Sequence, residues 1–150
     1  MYNNLFFDCD HMLSEVEINE FEKEFQFVMP DVIKKHYLSY NGGYPEKTVY
    51  GASNGERYVI NYFYAINGEE GNNLNETMRI LKDENVFPQW LVPLADDEGG
   101  NLFCYSLRQN DEGAIYYYEH EFDYGDNPEN HITLIASSII EFIAEMYEEE

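Results

Sequence analysis

The feature that most constrains this chain is residues 91–118, LVPLADDEGGNLFCYSLRQNDEGAIYYY. Leu91, Val92 and Leu94 make a short apolar run, and Pro93 confines it to an edge or a strand end. The run Asp96-Asp97-Glu98-Gly99-Gly100 reverses the chain, because glycine accepts positive φ and acidic side chains stay in water. Phe103, Tyr105 and Leu107 then alternate with Leu102, Cys104 and Ser106, the period of a strand with two distinct faces. A polar turn over residues 108–113 follows, and β character resumes from Ala114 to Glu119. Pairing Leu107 with Ala114 sets Tyr105 opposite Tyr116 and Phe103 opposite Tyr118, an aromatic ladder on one face. Three strands this aromatic predict the centre of a sheet, which the remaining elements must cover.

Those elements are legible on either side. Ser14 and Glu17 have the spacing of a capping box, and Ile18, Phe21 and Phe25 follow at helical intervals. Pro30 and Asp31 open a second helix, whose Ile33, Tyr37 and Tyr40 make a buried stripe ended by Asn41-Gly42-Gly43. Residues 5–7 read as an edge strand or as packing alone. Residues 48–52 and 57–65 are β-rich around an Asn54-Gly55 turn. Residues 74–82 form a third helix carrying Leu74, Met78 and Leu81, capped by Asn72 or Asn73. A last helix is predicted from the Ser138/Glu141 spacing, with Ile135, Ile139, Phe142 and Met146 on one side and a fraying acidic end. The chain shows no internal repeat or linker, so one α+β domain over residues 1–150 is expected.

Charge narrows the partners. Eight Lys and Arg oppose 30 Asp and Glu, a net charge of −22. Such a chain repels phosphate backbones and anionic membrane surfaces, so direct nucleic-acid and membrane binding are disfavoured. It steers basic proteins instead, although solubility alone accounts for an acidic balance equally well. No apolar run approaches the ~20 residues of a membrane span, and no signal sequence is visible. Cys9 and Cys104 have neither metal nor redox spacing, so buried free thiols in a cytoplasmic protein are expected.

The search for chemistry yields little. Phosphate-binding loops, nucleophile elbows and Cys/His metal spacings do not occur. Asp8-Cys9-Asp10-His11 alternates sides in an extended chain, which does not bring three ligands together. Asp96-Asp97-Glu98 lacks the spacing of a calcium loop and reads as a solvated turn. Glu119-His120-Glu121 reads as a surface imidazole in preference to a general base. The residues therefore point to a non-catalytic binding module with no cofactor and no metal.

Six segments in one order add a resemblance. They are Ile18-Asn19-Glu20-Phe21-Glu22; Met29-Pro30-Asp31-Val32-Ile33; Tyr40-Asn41-Gly42-Gly43; Leu91 to Asp96 with Gly99-Gly100-Asn101 and Phe103-Cys104; Ile115 to Glu121; and Ala136 to Ile143. Together they are similar to the SUKH superfamily, which contains the yeast cell-wall-synthesis (Smi/Knr) regulator and many bacterial immunity proteins. The core signature spans residues 14–147. Val28-Met29 stands where the family has a nearby Gly and Leu-Pro, and the aromatic run 58–64 resembles an insertion.

The resemblance implies a central, mostly antiparallel sheet flanked by helices. It also implies a protein that binds and neutralises a cognate toxin, such as a basic nuclease, without catalysis. The expected contact residues are Asp96, Asp97 and Glu98 in the turn, Glu119, His120 and Glu121 at the strand end, and Asp123, Asp126 and Glu129 in the loop beyond. Tyr116 and Tyr118 supply an aromatic component. The competing readings are a regulatory scaffold in cell-wall or stress signalling, and a small-molecule-binding or hydrolytic domain using His120 and the tyrosines.

Overall fold

A computed structural model of the chain describes residues 2–69, 71–83, 87–120 and 128–149. The architecture is α+β. Strands β6 (Leu91–Asp96), β7 (Leu102–Ser106) and β8 (Ile115–Tyr118) lie between β5 (Tyr62–Phe63) and β9 (Ile132–Ala136), in the order β5-β6-β7-β8-β9 with every neighbour antiparallel. Every residue of β7 is buried, as expected of a strand covered on both faces. Phe103 on one face meets Phe142 at 5.5 Å and Tyr58 at 6.3 Å between ring centroids. On the other face Tyr118 meets Phe87 at 4.9 Å and Tyr116 meets Trp90 at 5.1 Å.

The register of the central hairpin differs by one residue from the expected one. Tyr105 pairs with Ile115, Cys104 with Tyr116, and Phe103 with Tyr117. The cause lies in the loop. Gly113, at φ +83°, donates its N–H to Ser106 O at 2.8 Å, and Ser106 donates to Ala114 O at 2.9 Å. Leu107 instead donates to Trp90 O at 2.8 Å, so the loop closes on Ser106. Because strand side chains have period two, a one-residue slip exchanges faces. Tyr116 and Tyr118 therefore share a face with Leu102 and Cys104, and Tyr117 joins Phe103.

The helices form where capping and periodicity place them. Helix α1 (Glu15–Phe25) starts at Ser14, whose side chain accepts from the Glu17 N–H while the Glu17 carboxylate accepts from the Ser14 N–H. Ile18, Phe21 and Phe25 are buried. Helix α2 (Asp31–Ser39) buries Ile33, His36 and Tyr37, while Tyr40 is only half-buried at its end. Tyr40 is extended, at φ −140°, so the left-handed Gly42 and Gly43 follow the helix end and shape the link beyond it. Asn41, 2% exposed, pins that link by donating to His11 O and Ile66 O and accepting from the Ile66 N–H. Helix α3 (Leu74–Asp83) packs on β6, and its Glu76 N–H is capped by Asn73 Oδ1 at 3.1 Å.

Two small ribbons complete the chain. β1 (Phe6–Phe7) pairs with β2 (Tyr44–Pro45), which joins the main sheet through a bridge between Gly43 and Phe63. β3 (Val49–Gly51) and β4 (Arg57–Val59) form the hairpin expected at Asn54-Gly55. Ile135 belongs to β9 and not to the last helix: residues 132–136 pair with β8, and Ser138 caps a helix that begins only at Ile139. That helix, α4 (Ile139–Ala144), is six residues long. Its acidic end is followed by a re-anchored segment, with paired bonds between Val49 and Tyr147. Cys104 is buried as expected, whereas Cys9 is exposed.

Candidate functional site

The turn between β6 and β7 and the end of β8 come together at one end of the sheet. Asp97 organises the turn. Its Oδ1 accepts from the Gly99 and Asn101 N–H groups, both at 2.9 Å, and its Oδ2 accepts from the Tyr117 hydroxyl at 2.5 Å. Asp96 faces inward along the strand and accepts from Tyr64 OH at 3.0 Å and Asn61 Nδ2 at 3.3 Å. Burial raises its carboxyl pKa in spite of those bonds. Glu98 is exposed at the tip. His120 closes the arrangement: its Nε2 lies 2.8 Å from Gly99 O, and its N–H donates to Asn101 Oδ1 at 3.0 Å. Gly100, at φ +86°, sits where a Cβ would lie 3.3 Å from His120 Nε2.

Asp96, Asp97, Glu98, Glu119 and His120 thus form one neighbourhood, but they divide into two kinds. Asp97 and His120 are spent on hydrogen bonds that fix the turn, and Asp96 on bonds from Tyr64 and Asn61 beside β5. Glu98 is exposed and Glu119 is half-buried. Tyr116, 8% exposed, and Tyr118, 1% exposed, are core residues, so the surface role expected of them is corrected by their burial. Glu121, Asp123 and Asp126 lie outside the described residues. Glu129 falls in the 3-10 turn Pro128–His131, and its side chain also lies outside them.

The opposite end of the hairpin holds a second network. The Arg108 guanidinium lies 3.6 Å from the centre of the Trp90 ring and donates to Asp111 Oδ2 and Tyr116 OH, each at 2.8 Å. Ser106 Oγ donates to Asp111 Oδ1 at 2.6 Å, and Tyr116 OH also donates to Asp111. Desolvation acts upward on the Asp111 carboxyl, but the Arg108, Ser106 and Tyr116 bonds outweigh it and hold its pKa at about 2.

A third feature, an open hollow of about 670 Å³ beside β2, is only faintly signalled along the chain. Asp8, Asp10 and His11 meet Tyr44, Tyr62 and Glu69 there. His11 lies between two carboxylates, 2.8 Å from Asp10 Oδ1 and 2.8 Å from Glu17 Oε2. Those bonds, Glu17 first, raise the His11 pKa. The run Asp8 to His11 flags one wall; nothing local signals that the loop at Glu69 returns to it, donating its N–H to Asp10 Oδ2 at 3.0 Å. Among the described residues no group of three or more His, Cys, Asp or Glu side chains is arranged to hold a metal ion.

Residues 12–145 match the SMI1 / KNR4 family (SUKH-1). The chain belongs to that family. It is also similar to the SPbeta prophage-derived uncharacterized protein YokK of Bacillus subtilis (strain 168), 27% identical over 104 residues, which is 69% of this chain. The matched stretch spans half the length of that relative. The turn Asp96–Gly100, β7, β8 and the Ser138 cap all fall within the family match, whereas β1 and the run Asp8 to His11 precede it. No helix among the described residues is long and apolar enough to cross a membrane.

Proposed function

We propose that this SUKH-family chain is a bacterial immunity protein, which binds a cognate toxin and blocks it without catalysing a reaction. Membership of the family over residues 12–145 is the observation that carries the reading, and the net charge of −22 supports a basic partner. The prophage derivation of the similar Bacillus protein fits a gene that travels with competing elements. A basic toxin that holds nucleic acid offers the positive surface that an acidic inhibitor covers. The proposed contact is the end of the sheet around Glu98 and Glu119, with Glu121, Asp123, Asp126 and Glu129 continuing it along the chain. Asp97 and His120 act behind that surface by holding the turn.

The test combines partner capture with charge reversal. The tagged chain is used to isolate its partner from a strain carrying the neighbouring genes, and binding kinetics are then measured. Glu98→Lys with Glu119→Lys is expected to slow association about tenfold at low salt and to flatten its salt dependence. Association unchanged by the double reversal removes the assigned surface. A captured partner that is an endogenous signalling protein, with no toxin gene adjacent, favours the scaffold reading instead.

A further inference from the structure

His36 is fully buried at 0% exposure, in a cage of rings from three segments. Tyr37 and Tyr40 come from α2, Phe63 from β5, and Tyr2 and Phe6 from the first residues of the chain, with ring centroids 5.5 to 6.1 Å from the imidazole. Among the described residues its Nδ1 has one partner, the Tyr2 hydroxyl at 3.1 Å, and its Nε2 is buried with none. The titratable groups facing it are Tyr2, Tyr37 and Tyr40, and Phe6 and Phe63 are apolar. The charged groups near the first residues point elsewhere: Lys47 Nζ donates to Asn3 O, and Asp10 binds His11 and the Glu69 N–H.

A neutral imidazole fits this cage and an imidazolium does not. Protonation makes both ring nitrogens donors, and among the described residues only the Tyr2 oxygen is in reach. The second N–H and a full charge then stay buried with no counter-ion, which is costly in a dry site. Burial alone pulls the His36 pKa down, to about 3. The cage can relieve that cost by opening at its weakest wall. That wall is the segment bearing Tyr2 and Phe6, whose strand is two residues long. Its backbone is held by the Glu46 N–H to Leu5 O at 2.8 Å, the Asp10 N–H to Asn41 O at 2.9 Å and the two β1–β2 pairs, and its Asn4 side chain accepts from the Lys47 N–H at 2.9 Å and donates to Lys47 O at 3.0 Å and Met146 Sδ at 3.5 Å. Helix α2 and β5, the other walls, are packed into the core.

We propose that residues 2–10 form a strap that docks only while His36 is neutral, so that mild acid releases the strap from an otherwise folded domain. The strap precedes the family match, which begins at residue 12, whereas His36 lies within it. Release of the strap also dismantles the wall of the hollow that carries Asp8 and Asp10.

The test is amide hydrogen exchange by NMR on the full chain from pH 7 to pH 4, corrected for the intrinsic pH dependence of exchange. The Glu46 and Lys47 amides report the strap, and the Tyr64 amide, bonded to Leu94 O, reports the core. Protection at Glu46 and Lys47 is expected to fall about tenfold per pH unit once the pH is below the unfolded imidazole value, with Tyr64 still protected. In His36→Phe the same protection becomes independent of pH. The imidazole signals of the unaltered protein supply a readout that needs no variant. Strap amides that stay protected while His36 takes up a proton overturn the latch, because the rings would then be stabilising the cation. So does an unchanged pH dependence in His36→Phe, which would assign the opening to carboxylates.

Discussion

At the scale of single residues, this chain spends many of its polar groups on holding loops in place. Asp111 is the clearest case, serving Arg108, Ser106 and Tyr116 at once. Asp111→Ala leaves those three groups without their acceptor, and a loss of about 2–3 kcal/mol is expected in urea denaturation. The linkage sign follows from the depressed pKa: the contribution is present above the unfolded carboxylate value and is lost as pH falls through about 2. His11 carries the opposite sign. Its pKa is raised by Glu17 and Asp10, so its contribution is complete below the unfolded imidazole value and disappears as pH rises through the folded one. The pair is solvent-exposed, so the stability change should stay below ~1 kcal/mol. Glu17→Gln should lower the His11 pKa in an NMR titration, and an unmoved titration would show that Glu17 contributes nothing.

At the scale of elements, the sequence was most readable where local rules suffice. Ser14 and Glu17 specify α1 by reciprocal bonds within four residues, and Ser14→Ala should cost about 1 kcal/mol in thermal or urea unfolding. Composition also located the hairpin of β6, β7 and β8. It did not locate the register, because the decisive bonds join Ser106 to both Gly113 and Ala114, and Leu107 to Trp90. Nothing in an alternating aromatic run distinguishes that closure from its neighbour. Strand β9 was hidden for a related reason: Ile135 fits the helical spacing to Ile139 and Phe142 as well as it fits a strand. His36 lay on the same helical face as Ile33, yet a polar side chain there gave no cue that an N-terminal segment would cover it. Glycine separates the two kinds of information experimentally. A Cβ at Gly43 would lie 2.6 Å from Phe7 O and 3.0 Å from Cys9 Sγ, at φ +102°. Gly43→Ala should therefore destabilise by more than ~2 kcal/mol and displace β1. Gly55, at φ +88° with nothing within 4 Å, bears only the conformational cost, and Gly55→Ala should lose about 1–2 kcal/mol.

At the scale of the whole molecule, 30 carboxylates share one small surface with eight Lys and Arg side chains. Self-repulsion on that scale weakens the compact state and is screened by salt. The melting temperature should rise as ionic strength increases from about 10 to 150 mM, where the Debye length shortens from about 30 to 8 Å. A flat or falling curve would mean that ion pairs such as Arg79 with Glu24 outweigh the repulsion. The α+β class and the family were legible from the order of short segments along the chain. The division of the acidic site into hydrogen-bonded and exposed carboxylates was not, since Asp96, Asp97 and Glu98 are equivalent as letters. Their roles depend on which of them Tyr64, Asn101 and Tyr117 reach.

The sole tryptophan, Trp90, lies beneath the Arg108 guanidinium at the far end of the sheet from Glu98. Indole emission responds to a cation seated against the ring, so the protein has an optical sensor built into its own fold. Loosening of the Asp111 loop would register as a change in fluorescence intensity without any label. A ligand seated at the acidic end, by contrast, should leave the signal still, which lets one cuvette distinguish engagement at one pole from disorder at the other.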